Sequence, residues 1–381
     1  MNSSVNGKPI MDFDCHIEKI ANEFAIAGKF IEGAEINSGH INATYMAAFE
    51  TEGGLRHRYI LQRINEKVFK EPLAVMRNVE MVTRHINSKV MRVKRDIGGQ
   101  TLNLYPARKG GSYVAGAGGG IWRCYNFIEG CRTYEIVENT RQAYQAAHAF
   151  GAFQDLVSDI PLEGIEETIP DFHNTPKRYE RLMSVVESDF CGRVAGVKAE
   201  LDFIKKRQPL VSRLVDLSCE SLLPNRVTHN DTKINNVMMD VDTDEAVCVI
   251  DLDTVMPGLS LYDFGDLVRT AVSPAAEDER DLSKVSVRMP MFEALAEGYI
   301  DACNCLCDEE LDNLAFAGVL ISLETGIRFL TDHLEGDVYF KVKRNGQNLD
   351  RARTQLKLVE QLERKQGEME VFVNRLAKAR R

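Results

Sequence analysis

Missing from this chain are the marks of several common protein classes. Its nine cysteines are scattered and odd in number, the pattern of thiols kept reduced rather than of a disulfide framework. Cys303, Cys305 and Cys307 alternate, without the Cys-x-x-Cys step and nearby histidine of a zinc site. No stretch approaches the apolar length of a membrane span. Met1 to Pro9 has no apolar signal core, so a cytoplasmic protein is expected. Basic excess is absent too: the formal net charge is −10, which disfavours nucleic acid as a partner. Gly-x-x-x-x-Gly-Lys-Ser/Thr occurs nowhere, which removes a P-loop. The glycine-rich run Lys109 to Gly120 leads into a strand, not a helix, and reads as a hairpin turn. Internal repeats and low-complexity linkers are lacking as well.

What is present is a compact chemical signature, His229-Asn-Asp231-Thr-Lys233-Ile-Asn-Asn236. It has the His-x-Asp-x-x-x-x-Asn spacing of a kinase catalytic loop, with a lysine two places after the aspartate. Phosphoryl transfer needs a carboxylate to accept the substrate hydroxyl proton and, a fixed distance away, an oxygen for the metal carrying the triphosphate. Two short apolar strands follow, 237–239 and 246–250, joined by a polar turn. Pairing about the centre of that turn predicts Asn236 opposite Asp251, two oxygen ligands suited to Mg²⁺. Asp253, two residues on, is a second candidate.

The N-terminal third predicts a small antiparallel sheet. Ile41, Ala43, Tyr45, Ala47 and Phe49 alternate with other residues, the period of a half-buried strand. Before them, Ser38 and Gly39 lie in a turn that could lay amides over phosphates. A second strand runs over 58–64, and a helix follows with Val75, Val79, Val82 and Ile86 on one face. Glu80, beside that face, is placed to pair with a cation on the strand; either Arg63 or uncharged Gln62 must fill that place, since no lysine stands there. A last strand covers 121–128. Helical patterns then dominate, at about 141–157, 176–190, 194–216, 288–306, 309–334 and 349–377. The expectation is an α+β bilobal arrangement: a small antiparallel-sheet lobe over 1–128, and a larger, mainly helical lobe over 129–381.

Ser38-Gly-His40-Ile-Asn42, the 229–236 loop, Val-Ile-Asp251-Leu-Asp253 and Tyr262-Asp-Phe-Gly-Asp266 together resemble the aminoglycoside phosphotransferase superfamily. Within it, the resemblance extends to bacterial N-acetylhexosamine 1-kinases through Arg77-Asn-Val-Glu80, Tyr125-x-Phe-Ile-Glu129, His173-Asn-Thr-Pro176 and Leu334-Glu-Gly-Asp-Val-Tyr-Phe340. It covers nearly the whole chain except the far N-terminus. It implies a bilobal protein-kinase-like fold whose sheet lobe covers the nucleotide, with ATP between the two lobes, Asp231 as base, Lys233 on the transferring phosphate, and Asn236 and Asp251 on Mg²⁺. His229 would orient the loop, and Asp266 would cap the next helix and brace the loop.

For the acceptor, Glu324 and Arg328 lie four apart on one helical face in an otherwise apolar stretch. They form either an ordinary ion pair or a half-buried pair recognising hydroxyl and amide groups. His40 and Tyr339 are weaker candidates, with packing or surface roles as the alternative. Thr175 before Pro176 suits an N-cap, so His173 marks a helix start. The expected activity is phosphorylation of the anomeric hydroxyl of N-acetylglucosamine or N-acetylgalactosamine. The alternative acceptors are an aminoglycoside, homoserine or an amino alcohol. A non-catalytic binding module would have lost one of Asp231, Asn236 or Asp251, and all three are present.

Overall fold

A computed structural model describes residues 10–36, 41–93, 101–116 and 119–380. They divide into two compact units, residues up to 131 with 163–169, and 132–162 with 170–381. The first holds α1 (Ile10–Ala21), β1 (Lys29–Ile36), β2 (Ala43–Glu50), β3 (Arg56–Arg63), α2 (Pro72–Val93), β4 (Val114–Ala115) and β5 (Ile121–Asn126). Its strands form one antiparallel sheet in the order β1-β2-β3-β5-β4. Alternation puts Ala47, Phe49, Tyr59, Leu61 and Trp122 into a core with Ile17, Ile20 and Phe24. Neither α1 nor β1 was expected. In β1, Lys29-Phe-Ile-Glu-Gly-Ala-Glu-Ile36 is an edge strand, largely solvated, with no apolar run to mark it.

The helix predicted by Val75, Val79 and Val82 is α2, and all three are buried. It also collects the segment 163–169, which the sequence expectation placed in the other lobe. Asn78 donates to the Glu166 carbonyl at 2.7 Å and accepts from the Glu166 amide at 2.9 Å. Arg77 pairs with the Glu166 carboxylate. Such long-range side-chain bonds leave no trace in hydrophobic periodicity.

After β6 (Cys131–Arg132), the second unit contains α3 (Thr140–Val157), α4 (Thr175–Ser188), α5 (Lys198–Lys206) and α6 (Arg213–Cys219). Next come β7 (Arg226–Thr228), β8 (Val237–Asp240), β9 (Ala246–Val249) and β10 (Met256–Gly258). Four helices complete it, α7 (Ser260–Ala271), α8 (Met289–Ala302), α9 (Asp308–Glu335) and α10 (Gln347–Arg380). The single helix expected over 194–216 is broken at Arg207–Ser212. Pro209 disfavours helical geometry at Gln208 and cannot donate to the helix ladder, so the run splits into α5 and α6.

One feature departs from the reading of apolar runs: α9 is long and apolar enough to cross a membrane. Within the unit, 94% of its apolar window is buried, so it serves as the central core helix. Close approach needs small residues. A Cβ on Gly265 of α7 would sit 2.5 Å from the Ala317 carbonyl oxygen of α9, so only glycine lets these helices touch. The architecture is thus an antiparallel-sheet unit followed by a mainly helical one, as the sequence predicts.

Candidate active site

The loop 229–236 leaves β7, which pairs with β10 through Thr228 and Met256. Its shape is fixed from behind by buried polar groups. His229 is 0% exposed and lies edge-on to Phe150 and Phe153. The Asp231 amide donates to its Nδ1 at 3.3 Å, while its Nε2 donates to the Ile250 carbonyl at 3.0 Å. One ring nitrogen accepts and the other donates, which is a neutral imidazole. Burial pushes the His229 pKa down, in the same sense. The ring therefore ties the loop to the segment leading to Asp251.

Asp263 of α7 supplies the second anchor. Its buried carboxylate accepts from the amides of His229 at 2.9 Å and Asn230 at 2.7 Å. Thr232 donates to its carbonyl at 2.5 Å. Burial pushes the Asp263 carboxyl up to about 7, against the pull of the two amides. These bonds hold Asn230 at φ +64°, a left-handed conformation that asparagine tolerates better than most residues. The expectation for Asp266 is corrected here. It lies inside α7, paired with Arg269 at 2.7 Å, and caps nothing. Asp263 is the brace, and its position in the string Tyr262-Asp-Phe-Gly-Asp266 was its only sequence signal.

Asp231 stands at the front of this scaffold. Lys233 Nζ is 3.3 Å from its Oδ2. The Asn236 amide donates to the Asp231 carbonyl at 2.8 Å and to Oδ2 at 3.1 Å. Burial raises the Asp231 pKa, but the charge of Lys233, with the hydrogen bond from Asn236 behind it, outweighs this and holds the carboxylate below its usual range. Asp231 in turn pushes the Lys233 ammonium up, helped by Asp266 and Asp251. An anionic carboxylate and a cationic lysine therefore coexist at neutral pH.

The hairpin register differs by one residue from expectation. Val237 pairs with Val249 and Met238 with Cys248, and the Ile250 amide donates to the Asn236 carbonyl at 2.9 Å. Asn236 is thus opposite Ile250, not Asp251. An irregularity between Met238 and Met239 absorbs the extra residue, which a symmetric pairing count cannot anticipate. Asp251 follows directly at φ +62°, turning the chain into a short 3₁₀ segment containing buried Asp253. Because Asn236 spends its NH₂ on Asp231, its oxygen is left as an acceptor. Asn236, Asp251 and Asp253 make an all-oxygen set within one short hairpin, the donor chemistry that fits a hard divalent cation.

Glu324 occupies neither of the two roles open to it in the sequence. It is 0% exposed, accepting from His173 Nδ1 at 2.8 Å and from the Thr175 hydroxyl at 2.6 Å. Both oxygens are engaged, and it is neither salt-bridged to Arg328 nor open to an acceptor. His173 Nε2 faces the Asn230 carbonyl at 3.2 Å, so Glu324 braces the 229–236 loop through His173. Thr175 is spent on Glu324, and the cap of α4 falls to Asn174, whose side chain accepts from Lys177. Arg328 lies over the rings of Phe172 and Phe340, at 5.0 and 5.7 Å. Tyr339 is 58% exposed, with its ring against Phe340.

In the sheet unit, Ser38, Gly39 and His40 lie outside the described residues. Glu80 does not pair with Arg63: it binds Arg84, one turn on, and accepts from Ser112 at 2.8 Å. Arg63 ends β3, with its guanidinium packed against Gly120. The buried cation of this sheet is Arg123 on β5, 0% exposed, which donates twice to Gln62 Oε1 at 2.8 and 3.1 Å. Cross-strand register puts them directly opposite, Gln62 against Arg123. Sequence reading missed Arg123 because it looked for the cation on β3.

Residues 32–293 match the phosphotransferase enzyme family, and the chain belongs to that family. Solved structures agree in fold. An aminoglycoside phosphotransferase from Alicyclobacillus acidocaldarius superposes with a TM-score of 0.60 at 12% identity, covering 98% of each chain. An amicoumacin kinase in complex with AMP-PNP and Ca²⁺ gives 0.56 at 13% identity, over 90% of this chain and 92% of that one. Choline kinase from Cryptosporidium parvum gives 0.53 at 13% identity, over 92% and 95%.

Proposed function

We propose that this phosphotransferase moves the γ-phosphoryl group of ATP to the anomeric hydroxyl of an N-acetylhexosamine, giving the sugar 1-phosphate. The observation that carries the chemistry is Asp231, anionic and held by both Lys233 and Asn236. Its free-standing alternative, a structural ion pair, would not need Asp263, His229 and the Glu324–His173 pair converging behind it. Asp231 accepts the proton of the acceptor hydroxyl as the phosphoryl group departs. Its lowered pKa is no obstacle, since that hydroxyl becomes acidic only as the new O–P bond forms.

Lys233, released from Asp231 by a short side-chain movement, offers its charge to the transferring phosphate. Asn236 and Asp251 would hold Mg²⁺, with Asp253 beside them; the ion, when bound, supplies charge neutralisation for the triphosphate. Ser38, Gly39, Arg63 and Glu80 are the nucleotide-side candidates, with Glu80 acting through Arg84 and Ser112 rather than through a strand cation. The acceptor candidates are Arg328, stacked on Phe172 and Phe340, with Tyr339 and His40. Glu324 is reassigned from acceptor contact to loop brace. The sugar assignment draws on the resemblance of 77–80, 125–129, 173–176 and 334–340 to N-acetylhexosamine 1-kinases. Amino alcohols and aminoglycosides are the second reading, favoured by the names of the structural neighbours.

The test is ADP release with Mg²⁺ and ATP across N-acetylglucosamine, N-acetylgalactosamine, kanamycin, homoserine and choline. Turnover with the two acetylated sugars supports the proposal. Turnover confined to the amines assigns the chain to the second reading.

A further inference from the structure

Two arginines close to His173, Arg178 and Arg328, lack among the described residues the direct salt bridges that arginines normally keep. Arg178 of α4 donates to the Phe172 carbonyl at 3.1 Å, and Arg328 of α9 lies 5.0 Å over the Phe172 ring. One residue therefore brings both guanidiniums together. The nearby carboxylates are already engaged: Asp171 holds Lys177 at 2.8 Å, and Glu324 holds His173 and Thr175. Neither arginine has an ion-pair partner among the described residues, and the buried Nε of Arg178 has no hydrogen-bond acceptor among them. Burial, then the charge of Arg328, push the Arg178 guanidinium down.

Glu324 draws on both guanidiniums through space and Asp171 on Arg178, but neither acid forms a direct ion pair with them. Like charges gathered without a direct salt bridge cost stability, so such a pair is kept where something else gains from it. Its place is informative. Phe172 precedes His173, whose Nε2 is 3.2 Å from the carbonyl of Asn230, the residue before Asp231. The pair thus lies within a few side chains of the proposed base. A guanidinium donates hydrogen bonds and accepts none. Two of them favour oxygen atoms with lone pairs and repel an ammonium group.

We propose that Arg178 and Arg328 form an acceptor-selecting subsite that takes hydroxyl, carbonyl or carboxylate oxygens and rejects ammonium-bearing acceptors. Arg178 then acts as a specificity residue that no motif in the sequence marks. The choline kinase among the structural neighbours is named for a cationic acceptor; this pair sets the present chain against that class. The inference rests on the small-molecule phosphotransfer reading, but not on the acceptor being a sugar.

The experiment uses two nearly isosteric pairs, glucose with glucosamine and 1,2-propanediol with 1-amino-2-propanol. They are compared at about pH 6.5, where the amines are protonated. ADP release yields kcat/KM, and titration calorimetry yields affinity whether or not turnover occurs. The neutral member of at least one pair should be favoured by about tenfold or more, the size of effect that like-charge repulsion brings. Arg178→Gln and Arg328→Gln should each shrink that ratio several-fold, while Arg178→Lys, which keeps the charge, should preserve it. A purely structural arginine would change activity without changing the ratio. Preference for the neutral member confined to the non-sugar pair would defeat the sugar assignment and leave this inference standing. Equal treatment of both members, binding of neither pair, or a ratio untouched by both glutamine variants overturns it.

Discussion

Asp231 on the 229–236 loop and Asp263 on α7 behind it are both carboxylates shielded from water, and the surroundings drive them in opposite directions. Lys233 keeps Asp231 anionic, so Asp231→Asn should retain ATP affinity while turnover falls by about 10²–10⁴-fold, the usual worth of a positioned base. Near wild-type turnover in that variant would remove Asp231 from the role. Asp263, by contrast, has its carboxyl pushed from 3.8 up to about 7 by burial. A raised folded-state pKa contributes stability below the unfolded value that is lost as pH rises through the folded one. Wild type should therefore lose stability relative to Asp263→Asn between about pH 4 and pH 7. Urea melts of both proteins across that range measure it, and a constant difference would contradict the burial account. At this scale the sequence proposes which residues carry chemistry, but does not show which pairs meet. Glu324 and Arg328 sit one helical turn apart, yet Glu324 turns to His173 and Thr175, residues about 150 positions away. Only the packing of α4 on α9 decides that choice.

Strands and helices were legible where one face is buried and obscure where it is not. The apolar stripe of α2 marked that helix well, whereas the solvated edge strand β1 gave no pattern. The β8–β9 hairpin lies between these cases: both strands were legible, and an irregularity in the ladder moved the register by one. That shift leaves the oxygen chemistry of Asn236 and Asp251 intact, so activity should disappear with EDTA and return with Mg²⁺ or Mn²⁺. Full turnover in the chelator would discard the metal assignment. Helix packing can be tested separately from chemistry. Gly265 allows α7 to touch α9, and α7 carries Asp263. Gly265→Ala should cost about 1–3 kcal/mol, as overpacking of cores does. It should also depress kcat by tilting the Asp263 brace. A stable variant with unchanged kcat would show that the loop does not depend on this contact.

For the whole chain, the sheet unit, the helical unit and membership of the phosphotransferase enzyme family agree. What the proposal adds to family membership is the acceptor, and there the arginine pair and the neighbours' names point differently. The arginines around Phe172 favour oxygens, whereas the choline kinase is named for a cationic acceptor. Acceptor identity was the least legible property in the sequence, because the subsite proposed for it needs Arg178, Phe172 and Arg328 to meet across helices. Phosphorus NMR of the product formed from ATP, Mg²⁺ and N-acetylglucosamine or N-acetylgalactosamine tests the central proposal most directly. The account predicts a phosphate coupled to the anomeric proton, with Asp231→Asn forming none. A sugar 6-phosphate, or phosphate transferred only to an amine-bearing acceptor, would contradict it.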